Sequence, residues 1–353
     1  MSGLSAGPTN SLTDVANLRV GHASRCGDGW LTGTTVILAE GEGAVAGVDV
    51  RGGGPGTRET DLLEPRNLVE RVHAVVLSGG SAFGLASVDG VVQGLADDGI
   101  GLMVGSSPKE VVPIVPAAII FDLGRGGAFR CHPGPELGRD AYLDAQSAQG
   151  AGAVRQGCVG AGTGAVAGGL KGGLGSASAR MPSGWTVAAL AVANPGGSAV
   201  DQVTGRLWAA ECGLPGEFDQ VMWRARPAAR AVTPADPTRP FNTTIGVVAT
   251  DAPLTKAQCQ KLAGAAQDGL ARAVRPAHSM FDGDTIFGLS TAPAQATVGP
   301  AELNQLLALA ADCFARAVGL GLLAAVAAET PAGRWESYAD IHLRADRDGF
   351  SRS

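Results

Sequence analysis

Aromatic side chains are scarce in this sequence: Phe, Trp and Tyr together make up 5% of its 353 residues. The core therefore has to be filled by smaller side chains, and the chain is 45% hydrophobic with 53 glycines. We expect layers of secondary structure that pack closely through Ala and Gly. The glycines keep no three-residue period, which excludes a collagen-like chain.

Basic runs are also missing. The 27 Lys and Arg residues are outnumbered by 33 Asp and Glu, which gives a net charge of −6 and disfavours nucleic acid and anionic membranes as partners. The first residues, MSGLSAGPTNSLTD, have neither the basic start nor the apolar core of a signal peptide. The most apolar tract, 303–328, contains Asp312 and Arg316 and predicts a buried helix rather than a membrane span. We expect a soluble, cytoplasmic protein.

Motifs for metal binding or disulfide bonding are absent from the sequence. The six cysteines are scattered without a C-x-x-C pair, and the five histidines have no metal-ligand spacing. This pattern indicates neither a zinc site nor a disulfide frame, so we expect reduced thiols.

The order of apolar segments indicates an α/β protein. Short apolar runs that predict strands alternate with helical patterns, and no boundary between domains is visible. Strands are predicted at 34–39, 44–50, 73–80, 101–105, 111–123 (broken by proline), 185–194, 245–250 and in the segment DGDTIFGLSTA. Helices are predicted after Ser81, after Thr255, where Thr255 and Gln258 form a capping box, and from about residue 303. Residues 213–240, rich in Pro, Arg and Ala, predict a surface segment. The alternation favours helices that cover the faces of sheets.

Two glycine-rich stretches resemble binding motifs. VGAGTGAVAGG (159–169) formally matches the G-x-G-x-x-A pattern of dinucleotide sites, but glycines continue where the helix of such a site should begin. LSGGSAFG (77–84) places Ser81 at a strand-to-helix turn without matching the G-x-S-x-G elbow. Ser81 is therefore interpreted as a helix N-cap, the alternative being a pocket of backbone amides that binds substrate.

The segment RPFNTTIGVVATDAPL (239–254) carries more specific chemistry. A threonine hydroxyl is a weak nucleophile unless a base lies beside it, and an N-terminal threonine carries its own base in its amine. Cleavage between Asn242 and Thr243, by attack of the Thr243 hydroxyl on the Asn242 carbonyl, would expose that amine. The plainer interpretation of Asn-Thr-Thr is the start of a strand.

Several motifs in the same order resemble the L-aminopeptidase/D-esterase (DmpA) family, especially its branch of nylon-oligomer (6-aminohexanoate-oligomer) hydrolases. The most specific are FNTTIGVVATDAPL and, about forty residues later, HSMFDGDTIFGLST (278–291). The others are VDVRGGGPGTRETDLL (48–63), LSGGSAFGLA (77–86), AGGLKGG (167–173) and AVANPGGSAVD (191–201). The resemblance covers most of the chain.

This resemblance implies a four-layer αββα sandwich over a single domain, 1–353. It also implies self-cleavage into an α chain, 1–242, and a β chain, 243–353. The activity implied is that of an N-terminal nucleophile hydrolase that cleaves amides of short peptides or amino-acid oligomers. No metal or organic cofactor is implied, and the family commonly forms homo-oligomers, so we expect a tetramer of cleaved units.

The resemblance also assigns roles to five residues. Thr243 is the nucleophile, and Asp282 and Asp284 are the acidic pair that orients its amine. Asn194 corresponds to the donor that stabilises the oxyanion, and Lys171 to a lysine near the nucleophile.

The sequence departs from the family in two places. Members that remove N-terminal residues carry a glutamate that pairs with the substrate ammonium, but the corresponding segment here, Pro113–Ala118, contains no carboxylate. This favours internal or uncharged amides over aminopeptidase substrates. Phe121 stands where a tyrosine is expected, so a hydroxyl contact to the substrate is missing and Phe121 itself becomes a candidate binding residue.

Three rival interpretations remain at this stage. The first is acyl transfer to an amine, for which related ornithine acetyltransferases use the same chemistry. The second is an aminopeptidase or esterase activity. A non-enzymatic member of the family would act as a binding or scaffold protein.

Overall fold

Two β-sheets form the centre of the fold. The computed structural model describes residues 3–228, 241–293 and 298–343. The strands are β1 (Leu18–Gly27), β2 (Trp30–Ala39), β3 (Ala44–Val50), β4 (Thr57–Arg58), β5 (Arg71–Val72), β6 (Ala74–Ser78), β7 (Leu102–Met103), β8 (Val111–Val112), β9 (Ala117–Ile119), β10 (Val166–Ala167), β11 (Leu170–Lys171), β12 (Gly173–Arg180), β13 (Thr186–Ala193), β14 (Ile245–Thr250), β15 (Thr285–Ser290), β16 (Ala328–Thr330) and β17 (Gly333–Trp335).

Helices flank these sheets. The α-helices are α1 (Ser81–Gly84), α2 (Ser87–Asp97), α3 (Pro135–Gln146), α4 (Asp219–Arg224), α5 (Lys256–Ala273) and α6 (Pro300–Ala324). Short 3₁₀ segments span Leu12–Asp14, Thr60–Leu63, Ala148–Ala151, Gly160–Gly162 and Trp208–Cys212, and a π-helical turn spans Ala339–Leu343.

The larger sheet has the strand order β12-β13-β14-β15-β3-β5, in which β14 and β15 run parallel and the other neighbours antiparallel. The second sheet has the order β1-β2-β6-β9-β4, with β6 and β9 parallel. The remaining strands pair in three ribbons, β7–β8, β10–β11 and β16–β17.

Three buried apolar clusters define the layers. One lies between the two sheets and contains Leu77 and Leu190. A second, with Val248 and Phe314, joins the larger sheet to α5 and α6. The third, with Val91, joins the smaller sheet to α2 and α3. The order helices, sheet, sheet, helices is the four-layer αββα sandwich that the resemblance implied, and this expectation is confirmed.

Glycine allows the layers to approach each other closely. A Cβ atom on Gly175 of β12 would lie 2.0 Å from the Ala317 carbonyl oxygen of α6. A Cβ atom on Gly21 of β1 would lie 2.1 Å from the Ala145 nitrogen of α3. Because side chains larger than hydrogen do not fit at these contacts, the predicted packing through small residues is confirmed.

Helix α6 accounts for the most apolar tract. By length and composition alone it could cross a membrane, but 72% of its most apolar 18-residue window is buried within the protein. Its Arg316 is 1% exposed, pairs with Glu217 and donates to the Ser178 carbonyl oxygen at 2.8 Å. A charge paired in this way is typical of a core helix, as the sequence predicted.

The local predictions mostly hold. The capping box at α5 is present, with Thr255 Oγ1 accepting from the Gln258 amide and Gln258 Oε1 accepting from the Thr255 amide. The glycine run at 159–169 forms a 3₁₀ turn followed by strand β10, so the helix of a dinucleotide site does not follow it. The segment 213–240 contains α4, and residues 229–240 lie outside the described residues.

The interpretation of Ser81 as an N-cap is wrong. The N-cap of α1 is Gly80, which has φ +83° and makes no side-chain cap hydrogen bond, and Ser81 is the first helical residue. Ser81 itself has φ +51°, and its amide donates to the Ile120 carbonyl oxygen at 2.9 Å. The turn is therefore held by backbone bonds to the segment that follows β9.

Candidate active site

Strand directions bring distant parts of the chain together at one edge of the larger sheet. Because β13 and β14 are antiparallel, the end of β13 adjoins the start of β14. Because β14 and β15 are parallel, their starts adjoin. Asn194 therefore follows β13 at the same edge where Thr243 precedes β14 and Asp284 precedes β15. The topology brings these sequence-predicted residues together in one cluster.

Thr243 lies at the centre of this cluster and is 3% exposed. Its hydroxyl donates to the carbonyl oxygen of Asn242. Its amide donates to the Asn194 carbonyl oxygen at 2.9 Å. The nucleophile candidate is thus held against the peptide bond that the sequence predicts to break.

Gly283, between Asp282 and Asp284, contacts both residues of the Asn242–Thr243 peptide bond. Its amide lies 3.2 Å from the Asn242 carbonyl oxygen and 3.2 Å from Thr243 Oγ1. A Cβ atom at this position would lie 2.6 Å from the Gly54 carbonyl oxygen and 2.9 Å from Thr243 Oγ1. Glycine is required here by close approach, which leaves a backbone donor directed at the carbonyl of Asn242.

Asp284 is 2% exposed and fully engaged in hydrogen bonds. Its Oδ1 accepts from the Thr244 amide at 2.7 Å, one residue beyond the nucleophile candidate. Its Oδ2 accepts from the His278 amide at 3.1 Å and lies 2.8 Å from His278 Nδ1. Asp284 therefore fixes the start of β14 and is itself held by His278, a residue that the sequence interpretation did not single out.

Asp282 holds the opposite wall of the cluster. Its Oδ1 accepts from the Gly196 amide at 3.1 Å, and its Oδ2 accepts from the amide and hydroxyl of Ser279. Burial raises the pKa of the Asp282 carboxyl, and Ser279 and the Gly196 amide partly oppose that shift. In the intact chain neither aspartate bonds to the Thr243 amide, which is directed at the Asn194 carbonyl.

Asn194 is completely buried, and its amide orientation is fixed by two donors. Its Oδ1 accepts from Arg125 Nη1 at 2.5 Å and from the Val166 amide at 3.0 Å. Because the side-chain atom that faces these two donors has to be the acceptor Oδ1, the remaining amide atom is the donor Nδ2. Nδ2 lies 3.5 Å from the Phe121 carbonyl oxygen. This contact is at the long limit for a hydrogen bond, so Nδ2 is held only weakly by the protein. Arg125 is a second residue that sequence reasoning missed.

Lys171 is completely buried. Its ammonium donates to the carbonyl oxygens of Gly162, Ala165 and Gly172 at 3.3, 2.8 and 2.9 Å. Burial lowers the pKa of Lys171. Ala165 precedes Val166, whose amide holds Asn194, so the described contacts connect Lys171 to the cluster through the backbone rather than through Thr243.

Aromatic side chains border the cluster. The rings of Phe121 and Phe241 lie 5.7 Å apart between centroids, and those of Phe241 and Phe281 lie 6.4 Å apart. Phe121, the tentative substrate-binding residue, thus adjoins the candidate site. Ser81 lies at the turn after β6, and its amide donates to the carbonyl oxygen of Ile120, the residue before Phe121. Among the hydrogen bonds of the described residues, none joins the Ser81 hydroxyl to Thr243 or Asn194.

Within residues 3–228, 241–293 and 298–343, no group of three or more His, Cys, Asp or Glu side chains could hold a metal ion. The chemistry available is the Thr243 hydroxyl against a carbonyl, a backbone amide donor on the oxygen of that carbonyl, and a carboxylate, Asp284, that holds the residue before β14. This is the equipment for acyl transfer.

Comparison with known proteins agrees with this chemistry. The model of peptidase family S58 matches residues 10–336. A Mycobacterium leprae protein named as an uncharacterized aminopeptidase is 47% identical over 94% of this chain and 94% of its own length. The 6-aminohexanoate-oligomer endohydrolase of Paenarthrobacter ureafaciens is 28% identical over 74% of this chain and 69% of its own length.

Solved structures extend the likeness to the fold. The L-aminopeptidase D-Ala-esterase/amidase of Ochrobactrum anthropi, a variant of the Ntn hydrolase fold, superposes with a TM-score of 0.71. The alignment covers 94% of this chain and 92% of that one at 22% identity. Sequence match and fold together lead to one conclusion: the chain belongs to peptidase family S58, the DmpA family, and is a hydrolase that acts on peptide bonds.

Proposed function

We propose that the protein is a self-cleaving amide hydrolase whose nucleophile is Thr243, freed as the N-terminus of a β chain, 243–353. The observation that carries this proposal is the hydrogen bond from the Thr243 hydroxyl to the Asn242 carbonyl oxygen, with the Gly283 amide 3.2 Å from the same oxygen. A hydroxyl beside the preceding carbonyl, and a donor on the oxygen that gains charge, are the two requirements for attack within the chain.

Self-cleavage then proceeds in two steps. The Thr243 oxygen attacks the Asn242 carbonyl carbon, the bond from that carbon to the Thr243 nitrogen breaks, and the nitrogen takes up the hydroxyl proton. The product is an ester between the Asn242 carbonyl and the Thr243 oxygen. Water hydrolyses this ester, leaving a carboxylate on Asn242 and a free amine and hydroxyl on Thr243. Gly283 stabilises the oxygen of Asn242 while it carries negative charge.

Substrate hydrolysis reuses the same hydroxyl. An α-amine with a pKa of about 7.7–8.0 is partly neutral at pH 7 and can take the hydroxyl proton during attack. The Asn194 Nδ2 group donates to the substrate oxygen, and the acyl-enzyme is released by water. Asp284 keeps the strand that carries the nucleophile in place through the Thr244 amide.

The distribution of carboxylates favours amides without an ammonium next to the scissile bond. Asp282 and Asp284 are 1% and 2% exposed, and their oxygens are engaged by donors of the protein. Glu59 accepts from the Val115 amide at 3.2 Å. Val115 precedes Phe121 by six residues, which is about 20 Å along an extended chain, so Glu59 lies away from the part of the site that Phe121 borders. We therefore propose internal amides, including those of 6-aminohexanoate oligomers, as substrates.

An aminopeptidase activity is the second candidate, because the Mycobacterium leprae relative carries that name. A pair of p-nitroanilides, leucyl and N-acetyl-leucyl, separates the two candidates. We expect faster turnover of the acetylated compound, and a strong preference for the free amine would favour the aminopeptidase.

The test of self-cleavage is intact-mass analysis of the purified wild-type protein with N-terminal sequencing of the smaller fragment. We expect two fragments that meet between Asn242 and Thr243, the smaller beginning Thr-Thr-Ile. A single unbroken chain with full amidase activity would contradict the proposal.

The cellular setting is also a proposal. We propose that the protein is cytoplasmic, because its six cysteines are free thiols, as expected in a reducing compartment.

The tetramer implied by the family resemblance is proposed as the working assembly. Light scattering on the processed protein tests it.

His278 provides a sharp test of the role of Asp284. We expect His278→Gly to lower kcat roughly tenfold with little change in KM, the cost of losing one hydrogen bond to a charged group. His278→Asn should recover most of that loss, because its Nδ2 replaces Nδ1 as donor. Both glycine and asparagine tolerate the φ of +57° at this position, so backbone strain does not separate the two variants. Equal activities of His278→Gly and His278→Asn would show that the imidazole does not act through Asp284.

A further inference from the structure

We infer that Phe121 and Phe281, which contact the Phe241 ring in the uncut chain, form an apolar wall that binds an uncharged aliphatic or aromatic acyl group of the substrate after cleavage. This inference rests on the proposed function, since it concerns the acyl side of the bond that Thr243 attacks. It names the class of acyl group that the site selects.

The position of the wall follows from backbone contacts. Asn242 and Asp282 form a parallel bridge, so the residues before them, Phe241 and Phe281, are neighbours. Phe121 provides the carbonyl oxygen that lies 3.5 Å from the proposed oxyanion donor, Asn194 Nδ2. The three rings therefore lie directly beside the reacting groups, on the side of the carbonyl of Asn242.

The wall is available to a ligand. Phe281 is 53% exposed, and the neighbouring Met280 is 77% exposed. Large apolar side chains grouped beside a buried polar cluster are typical of a binding site rather than of ordinary surface. In the uncut chain the acyl part of the scissile bond is Asn242 with Phe241 attached, and the Phe241 ring packs near Phe121 and Phe281. A substrate acyl group takes this place against the Phe121 and Phe281 rings after cleavage.

Among the described residues, the loop that lies along Ser279 and Asp282 is uncharged. The Gly54 amide donates to the Asp282 carbonyl oxygen at 2.8 Å, and the Gly53 amide donates to Ser279, so the loop GGGPG (52–56) lines this edge with uncharged residues. Arg51, at the start of the loop, turns its guanidinium to Asp49 and Asp268. A charged acyl group would lose hydration against these rings without gaining a partner.

The experiment compares N-acyl p-nitroanilides that carry acetyl, hexanoyl, 3-phenylpropanoyl and succinyl groups, assayed with processed protein. We expect kcat/KM to rise at least tenfold from acetyl to hexanoyl and phenylpropanoyl, and to be lowest for succinyl. Phe281→Ala should lower kcat/KM for hexanoyl roughly 5- to 15-fold, as expected when about half of the contact of one ring is lost. The acetyl compound should change less than about twofold, since it does not reach the ring.

Matched variants separate binding from folding. Phe281→Leu should restore most of the hexanoyl activity, and Phe129→Ala, which removes a ring of 56% exposure outside the wall, should leave all four substrates unchanged. Thr243→Ala is assayed in parallel. Hydrolysis that persists in Thr243→Ala would overturn the proposed nucleophile. Thr243-dependent hydrolysis with equal kcat/KM for hexanoyl and succinyl, or an equal loss on acetyl and hexanoyl in Phe281→Ala, would overturn the apolar wall and leave the nucleophile standing.

Discussion

Thr243→Ala should yield one uncut chain and lower amidase activity by roughly 10⁴-fold or more, the size seen when a catalytic nucleophile is removed. Two functions are lost together in this variant. The hydroxyl beside the Asn242 carbonyl is absent, so the ester that leads to cleavage cannot form. Without cleavage no terminal amine exists, so the base that activates the nucleophile is missing as well. Intact mass reports the first loss and an N-acyl p-nitroanilide assay reports the second.

The neighbouring threonine provides a matched control. Thr244 has a buried hydroxyl without a hydrogen-bond partner among the described residues, while its amide donates to Asp284. Thr244→Ala removes only that hydroxyl, so we expect complete processing and activity within about threefold of wild type. Thr243→Ser keeps both the hydroxyl and the amine and should still cut itself. An uncut Thr243→Ala protein that retains wild-type turnover would show that Thr243 is not the nucleophile. Loss of processing in Thr244→Ala would instead assign that role to Thr244.

The parts of the fold that the sequence predicted are those in which local pattern and final burial coincide. The run 44–50 forms β3 over the same residues, and the capping box begins α5 at Lys256. β1 was not predicted, because Leu18–Gly27 changes from buried to exposed halfway and includes His22 and Arg25, so no single period describes it. α3 was also missed, although Pro135 at its first turn and the buried Leu137, Ala141 and Ala145 do form a helical pattern.

The site shows a similar division. Thr243, Asp282 and Asp284 lie in a motif whose order along the chain is distinctive. His278 was in the quoted segment, six residues before Asp284, but its bond to that carboxylate depends on a left-handed backbone that sequence does not specify. Arg125 lies 69 residues before Asn194, and only the packing of the two sheets brings them together. No local signal could have paired them.

Asn194→Ala should separate the two reactions of Thr243. We expect kcat for an N-acyl p-nitroanilide to fall roughly 10²- to 10³-fold, the cost of removing one oxyanion donor. Self-cleavage should stay complete, because the oxygen of Asn242 receives its hydrogen bond from the Gly283 amide rather than from the Asn194 side chain. Intact mass and single-turnover kinetics on the same sample measure both outcomes. An uncut Asn194→Ala chain would mean that one donor serves both reactions.

We expect Arg125 to affect the chemical step by orienting the Asn194 amide. Its guanidinium donates to Asn194 Oδ1 at 2.5 Å and to the Gly164 carbonyl oxygen at 2.6 Å. Arg125→Met frees the Asn194 amide to rotate and should lower kcat roughly tenfold, the size expected when the charge-assisted hydrogen bond to Asn194 is lost. In the Asn194→Ala background there is no amide left to orient, and the same substitution should then cost less than about twofold. Equal losses in both backgrounds would mean that the positive charge acts on the oxyanion directly. The double-mutant cycle therefore decides between positioning and electrostatic stabilisation, two roles that the distance between Arg125 and Asn194 alone does not distinguish.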